Sequence, residues 1–399
     1  MTTASQLAFH FGVELEFLLG SRSKKHKTWA SLAAELSTRL AKAGIPNHVN
    51  AGNEKTAENY REWSLVREVT VPGDIGKNLW GLELVSPILA PSPVECWVSE
   101  LQKIFSVLDR HFIVAPSAHA GTHVHVSTTP AALGLAQQTG LVLAAVAKAA
   151  LYFEPALDAL LPASRSGGGG GGSRTGTSSS SSTSSSSSSS GGGSDRGGGG
   201  PYWCQSNRAS MAMKGLPGLA ECFALLDRCC VAGGGEEDRY YGYGDGSRGV
   251  EQVVRAMCLF PASSAYGRAH GYKADFIHGV YKWDFSGLLP DTGTGTLEYR
   301  QCPGSRTADE ACAWIEVALC FVAGAVDTGH ALDPEVGDRG GTNTNSMMEG
   351  LWWVLCAGAQ SLGIGELRGI IGTMDFTGAG ARTQAGGKTS TKVKSSGRK

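Results

Sequence analysis

The stretch "FGVELEFLLG", residues 11–20, places two glutamates inside an apolar run. If it forms a β-strand, side chains alternate between two faces, so Glu14 and Glu16 share one face and their apolar neighbours share the other. At about 3.3 Å per residue the two carboxylates lie roughly 6.6 Å apart, which is too far to share one proton but close enough to hold adjacent cations. The alternative is a surface strand whose glutamate face is solvated.

The composition is that of a globular protein. The chain has 399 residues, 41% of them hydrophobic, and a formal net charge of -1. This length allows one large domain or two smaller ones with a real core, and the near-neutral charge argues against a general nucleic-acid binder. The apolar stretch "GLVLAAVAKAALYFEPALDALL" contains Lys148, Glu154 and Asp158, so it predicts a buried helix and no membrane span.

The cysteine content and the first residues indicate the cellular compartment of the protein. The start "MTTASQLAFHFGVELEF" lacks the basic region and long apolar core of a secretory signal, which predicts a cytoplasmic protein. The 10 cysteines are then expected to be reduced. They include no C-x-x-C pair, which argues against a zinc ribbon or a thioredoxin-type site.

Two segments have compositions that cannot bury apolar area. Residues 166–200 are almost entirely serine and glycine, which predicts a disordered insertion between residues 1–165 and 201–375 of one domain; the alternative is a linker between two domains. Residues 376–399 are predicted to be a disordered basic tail. The tail contains "GGKTS", but Arg382 stands where a phosphate-binding loop needs glycine.

Long helical patterns surround the short strands. Residues 27–45 predict an amphipathic helix that ends at Gly44, and residues 92–112 predict another that opens at Ser92 and Pro93. Residues 308–329 and 347–362 complete the set. No regular strand-helix alternation is present, which favours the α+β class.

Three further strands carry polar residues in apolar surroundings. Glu83 lies in "GLELVSPIL", His123 and His125 share one face of "GTHVHVS", and Glu298 and Arg300 share one face of "GTLEYRQC". Any one of these strands has an ordinary structural explanation. Together they are harder to explain in that way, because burying an unpaired carboxylate costs several kcal/mol. A bound divalent cation would offset that cost.

The residue types indicate which cation. Glutamates dominate, histidine is the minor partner and cysteine is absent, which suits Mg²⁺ or Mn²⁺ better than structural zinc. Arg300 adds a group that binds phosphate. Carboxylates, a metal and an arginine together predict phosphoryl chemistry.

Six motifs, in order, carry a family resemblance: "FGVELEFLLG", "LELVSPIL", "AGTHVHVS", "YFEPALDALLPASR", "YWCQSNR" and "TLEYRQCPGS". From about residue 9 to about residue 326 the chain resembles the amidoligase family found widely in fungi, a distant relative of glutamine synthetase and glutamate-cysteine ligase. The resemblance implies one catalytic domain with a glutamine synthetase-like fold, in which a curved antiparallel sheet forms a funnel with helices on its outer face. It also implies an ATP-dependent carboxylate-amine ligase that acts through an acyl phosphate with ATP and Mg²⁺ (or Mn²⁺), on small-molecule or peptide acids and amines.

The resemblance also implies residue roles. The implied metal ligands are Glu14, Glu16, Glu83, His123 and Glu298. Arg300 would contact phosphate. The residues implied to bind substrate or nucleotide are His125, near the metal ligand His123, and Arg165, Ser206, Asn207 and Arg208.

Three positions depart from the family pattern. Cys302 replaces a usual histidine, Glu68 a usual aspartate, and Asp284 a usual asparagine. These changes concern the substrate more than the metal ligands. Glu68 is the predicted base for the incoming amine.

Other functions are compatible with some of these features. A His-x-His strand also opens many amidohydrolase barrels, but here the glutamate pair comes first and the strand-helix rhythm of a barrel is absent. A degenerate, non-catalytic member that binds nucleotide or a partner is another alternative. A cysteine nucleophile at Cys204 or Cys302 is the third, although most buried cysteines only pack.

Overall fold

The first strand, β1 (Phe9–Ser21), has the alternation that its sequence predicts. In the computed structural model Val13, Leu15 and Phe17 are each 1% exposed on one face, and Glu16, on the other face, is only 6% exposed. The strand lies between two others in the middle of a sheet. A solvated surface strand therefore does not describe it.

The structure describes residues 8–128, 136–162, 165, 204–231, 247–289, 293–339, 344–365 and 367. The predicted insertion, residues 166–200, and the predicted tail, residues 376–399, lie outside them. After β1 the strands and helices are α1 (Trp29–Lys42), β2 (Asn47–Val49), β3 (Trp63–Arg67), β4 (Trp80–Val85), α2 (Val94–His111), β5 (Phe112–Ala115), β6 (Gly121–Thr128), α3 (Ala136–Tyr152), α4 (Glu154–Ala159), α5 (Leu219–Val231), α6 (Ser247–Cys258), β7 (Leu259–Phe260), α7 (Ala265–Ala269), β8 (Phe276–Ile277), β9 (Trp283–Asp284), β10 (Leu297–Pro303), α8 (Ala308–Thr328), α9 (Pro334–Arg339) and α10 (Thr344–Leu362).

The described strands form one large open sheet and one small one. The 8-stranded sheet has the order β2-β3-β4-β1-β6-β10-β9, and β5 pairs with the second half of β1. All its pairs are antiparallel except β2 with β3. Strands β7 and β8 form the small sheet. The α+β prediction is confirmed, whereas the curved funnel stays a prediction.

The apolar face of the large sheet is covered by helices. From α2, the Trp97 ring contacts Phe11 edge to face at 5.6 Å. On β9, Trp283 stacks between Tyr299 and Phe321 of α8. Helix α8 lies within the segment Ala308–Ala331, which is long and apolar enough to cross a membrane, but 89% of its apolar window is buried inside the protein. It is the central core helix, and the opposite face of the sheet carries the polar side chains.

The helix boundaries follow local chemistry. Thr28 Oγ1 accepts the Ser31 amide at the start of α1, and Gly44, at φ +77°, ends the turn after it. The stretch predicted as one buried helix is two, because α3 ends at Tyr152 and α4 begins at Glu154. Pro155 has no amide hydrogen to continue the hydrogen bonds of α3, which explains the break.

Candidate functional site

Strand register brings the polar side chains together on one face of the sheet. Glu14 of β1 lies opposite His123 of β6, and Glu16 lies opposite Glu83 of β4. On the other side of β6, His125 lies opposite Glu298 of β10. The polar strands that are far apart in the sequence are therefore neighbours in the sheet.

Two histidines lie between the carboxylates. His123 Nδ1 is 3.3 Å from Glu14 Oε2, 3.3 Å from Glu298 Oε1 and 3.7 Å from Glu16 Oε1. His125 Nε2 is 3.1 Å from Glu14 Oε1 and 3.8 Å from Glu298 Oε1. The two imidazoles are the nearest basic side chains to Glu14, whereas Glu298 has Arg300 Nη1 closer, at 2.6 Å.

Among the described residues, three overlapping groups have the geometry to hold a metal ion. In each group one ligand atom per residue lies within 4.8 Å of the others. The groups are Glu14 with His125 and Glu298, Glu14 with Glu83 and His123, and Glu16 with Glu68 and Glu83. The structure thus brings together all five predicted metal ligands, and adds His125 and Glu68 as possible donors.

At the β6–β10 side of this cluster the charges are compensated. Burial raises the pKa of Glu14, but the charges and hydrogen bonds of His125 and His123 outweigh it and hold that pKa well below its ordinary value. Burial likewise raises the pKa of Glu298, and Arg300 and the two histidines lower it further than burial raises it. Burial lowers the pKa of His125, while the carboxylates of Glu14 and Glu298 raise it to about 9. His125 is therefore protonated at neutral pH.

At the β3–β4 side the negative charge is in excess. Burial and the carboxylates of Glu14, Glu16 and Glu68 raise the pKa of Glu83 well above its ordinary value. Burial also raises the pKa of Glu16, with His123 opposing and Glu68 adding to the rise. Buried carboxylates that repel one another in this way fit a hard divalent cation such as Mg²⁺ or Mn²⁺.

Arg300 has a free polar atom at the edge of the cluster. Its Nη1 donates to Glu298 Oε1 at 2.6 Å, while its Nε is buried with no hydrogen-bond partner among the described residues. Burial lowers the pKa of Arg300, but Glu298 and Asp284 outweigh it and raise that pKa, so the guanidinium stays charged. An oxyanion would satisfy the Nε.

A cavity of about 220 Å³ opens over the cluster. It reaches from Arg300 across the carboxylates to a loop at residues 50–60. This loop contributes Asn50, Asn53, Lys55 and Tyr60 to the lining, with Glu54 and Asn59 between them. No signal in the sequence marks this loop, since its residues have no strand alternation.

Two glycines allow the close approaches that build the cluster. A Cβ on Gly121 would lie 2.7 Å from His123 Nε2 and 3.4 Å from Glu16 Oε2. A Cβ on Gly81 would overlap the carbonyl oxygen of Glu68. A larger residue at either position would displace a residue of the cluster.

Of the five residues predicted to bind substrate or nucleotide, His125 lies in the cluster and the other four do not line the cavity over it. Buried Arg165 donates to the carbonyl oxygens of Ala118 and Ala120, and Arg208 donates to that of Leu151. Asn207 Nδ2 donates to the carbonyls of Met257 and Trp283, and Ser206 Oγ accepts the amide of Arg208. These residues join backbone segments, and none lines the described cavity over the carboxylates.

The two cysteines considered as nucleophiles are buried in the core. Burial raises the pKa of Cys204 to about 11 and that of Cys302 well above its ordinary value. Both side chains are 0% exposed. A protonated, inaccessible thiol is a poor nucleophile, so the structure disfavours this alternative.

Comparison with known proteins gives one match. Residues 8–167 match a family model described as "Putative amidoligase enzyme". The matched segment contains β1 to β6, and therefore Glu14, Glu16, Glu68, Glu83 and the two histidines. No curated protein and no solved structure matches the chain. The resemblance seen in the sequence is therefore confirmed over residues 8–167, where the chain is similar to the amidoligase family.

Proposed function

We propose that this protein is an ATP-dependent carboxylate-amine ligase. The observation that carries the proposal is the cluster of buried carboxylates on one sheet face, beside an arginine whose Nε has no partner. The family match supports ligase chemistry over the segment that contains most of this cluster.

The donor set suits the metal that such a ligase needs. Glu14, Glu16, Glu83, His123 and Glu298 would hold Mg²⁺ or Mn²⁺, with Glu68 within reach of the same positions. Bound there, the metal would neutralise charge on the phosphate oxygens of ATP. In the proposed site the metal and Arg300 would bind the phosphates, so a glycine-rich phosphate-binding loop is not needed.

The proposed reaction has two steps. An oxygen of the substrate carboxylate attacks the γ-phosphorus of ATP, and ADP leaves with the electron pair of the broken P–O bond. The amine nitrogen then attacks the carbonyl carbon of the acyl phosphate, inorganic phosphate leaves, and the nitrogen loses a proton. Glu68, at the edge of the cluster and in the cavity, is the proposed acceptor of that proton.

Two positive side chains complete the proposed site. Arg300 would direct its Nε and its second nitrogen to the transferred phosphoryl group, while Nη1 stays on Glu298. The protonated His125 would hold Glu14 and Glu298 in place and limit their repulsion.

The fold bears on the hydrolase alternative. The described strands make an open, mostly antiparallel sheet, not the closed parallel barrel that a His-x-His strand opens in amidohydrolases. Carboxylates also outnumber histidines in each of the three groups of possible metal ligands. Both observations favour the ligase.

A trapping experiment tests the chemistry. The purified protein is incubated with Mg-ATP, hydroxylamine and pools of carboxylic acids, and hydroxamate and ADP are measured. The ligase proposal predicts equal amounts of both products in at least one pool, and neither with the Glu298→Ala variant. Release of amines from the corresponding amides without ATP would contradict it and favour the hydrolase.

A further inference from the structure

A second cavity lies beside the carboxylate cluster, at a gap in the large sheet. Strand β1 pairs with β6 up to Leu15 and with β5 from Leu18 onward, so Glu16 and Phe17 face a gap between β5 and β6. The cavity has a volume of about 320 Å³, which is enough for a small organic molecule.

The walls of this cavity are mainly apolar. Polar groups occur at Glu16, Ser117, Ser305, Arg306 and Glu310, and the other lining residues include Phe17, Val114, Ala115, Pro116 and Trp314. Arg306 lies 3.8 Å from Glu310, and its side chain is 69% exposed. The arginine therefore has a carboxylate partner and points largely to water.

Glu16 lines both this cavity and the one over the cluster. Its side chain is 6% exposed, and its Oε2 accepts the amide of Gly121 at 2.6 Å. A buried carboxylate in the wall of a mainly apolar cavity attracts a cation and repels an anion. The cavity thus suits an ammonium group and disfavours a second carboxylate.

We propose that this cavity binds the amine substrate, and that the substrate is a primary amine attached to an apolar body. This inference rests on the proposed ligase function, because it assigns the amine to one cavity and the nucleotide and acid to the other. Glu16 lines both cavities, which places an amine bound at Glu16 next to the cavity assigned to the nucleotide and acid. The apolar walls accept the body of the molecule. Glu16 Oε2, beside Gly121, accepts its nitrogen, while Oε1, on the side of His123, remains for the metal.

Calorimetric titration with a simple probe tests the proposal. The probe is 2-phenylethylamine, and 2-phenylethanol is its uncharged counterpart. Wild type should bind the amine about tenfold more tightly than the alcohol, since a hydrogen bond to a charged group adds about 1.4 kcal/mol or more. Equal binding of the two, or no binding of the amine, would overturn the proposal.

A pair of variants places the binding in the cavity. Ala115 of β5 lines the cavity, and Ile113 of the same strand is 45% exposed and does not line it. Ala115→Phe should weaken amine binding at least tenfold, by about 1.4 kcal/mol, while Ile113→Phe binds as wild type. If Ala115→Phe does not fold, Ser117→Phe provides the same test from the exposed segment. Unchanged amine binding in the folded cavity variant would place the probe elsewhere and overturn the proposal.

The same proteins separate this inference from the proposed function. Ala115→Phe should bind Mg²⁺ with a non-hydrolysable ATP analogue as wild type does. If wild type binds the amine but no nucleotide, the ligase function is contradicted, and the assignment of the cavity to an amine still stands. Nucleotide binding without amine binding would contradict only the cavity assignment.

Discussion

Replacing Glu83 by glutamine should make the metal-free protein more stable at alkaline pH. Glu83 is 8% exposed, and its ligand oxygen lies within 4.8 Å of those of Glu16 and Glu68. Glutamine has nearly the same shape and removes the charge. An acidic side chain that is needed for function but costs stability without its cation should show this effect.

The magnitude follows from the separation of the charges. Two unit charges 4.8 Å apart repel by about 3.5 kcal/mol at an effective dielectric constant of 20. Because its pKa is raised, Glu83 keeps its proton over part of the pH range, which relieves part of this repulsion. We therefore expect a gain of about 2 kcal/mol in the free energy of unfolding at pH 8.

The gain should depend on pH with a defined sign. The pKa of Glu83 is raised in the folded state, so the folded protein retains a proton that the unfolded chain has released. Wild type therefore loses stability as the pH rises from the ordinary value of 4.5 toward the folded pKa, and the variant does not. At pH 5 the two proteins should differ by less than about 1 kcal/mol.

Urea unfolding in the presence of a chelator measures this difference. A Glu221→Gln variant, changed on the exposed side of α5, should match wild type at both pH values. Saturating Mg²⁺ should reverse the order, because wild type gains about 2.7 kcal/mol at a hundred times the dissociation constant and the variant gains less. A variant that is less stable than wild type in chelator at pH 8 would refute the reasoning.

Three further substitutions test other parts of the structure. Lys282→Met should lower the free energy of unfolding by about 3 to 5 kcal/mol, because it leaves two carboxylates of α4 without their buried partner; Lys148→Met, whose partner is 60% exposed, should cost less than about 1 kcal/mol. Gly81→Ala should cost about 3 kcal/mol by overlap with neighbouring carbonyl oxygens. The control Gly140→Ala, with open space around it, should be neutral or stabilising in its helix. Equal urea midpoints for Lys282→Met and Lys148→Met, or for Gly81→Ala and Gly140→Ala, would contradict these expectations. Arg300→Lys should weaken nucleotide binding about tenfold in calorimetry without changing Mg²⁺ binding, because lysine keeps the charge and loses the planar fork; an unchanged nucleotide affinity would remove Arg300 from the phosphate site.

The faces of the strands could be predicted from the sequence, because side-chain alternation is a local property. Glu14, Glu16 and Glu83 all lie on the polar face that their apolar neighbours indicate. The partners of each strand could not be derived in this way, since register depends on contacts between distant segments. The proximity of Glu68 to Glu16 is an example, because it depends on the strand order β1-β4-β3 in the sheet.

The residues predicted to lie near substrate show a second limit of prediction from the sequence. Arg165 and Asn207 are polar residues in motifs of the family, which indicated a place near substrate. In the structure both are at most 2% exposed and bind backbone carbonyls. A buried polar group needs a partner, and the sequence does not show whether that partner is a substrate or the chain itself. The second cavity has no sequence signal for a related reason, because it arises where β1 changes its pairing partner.

The most direct test of the central claim is a calorimetric titration of Mg²⁺ and a non-hydrolysable ATP analogue into wild type, Glu298→Ala and the control Glu221→Ala. The account predicts that wild type and the control bind the analogue only with Mg²⁺, and that Glu298→Ala loses this binding. Wild type that binds no nucleotide, or Glu298→Ala that binds it with unchanged affinity, would contradict the assignment of the carboxylate cluster to metal and ATP.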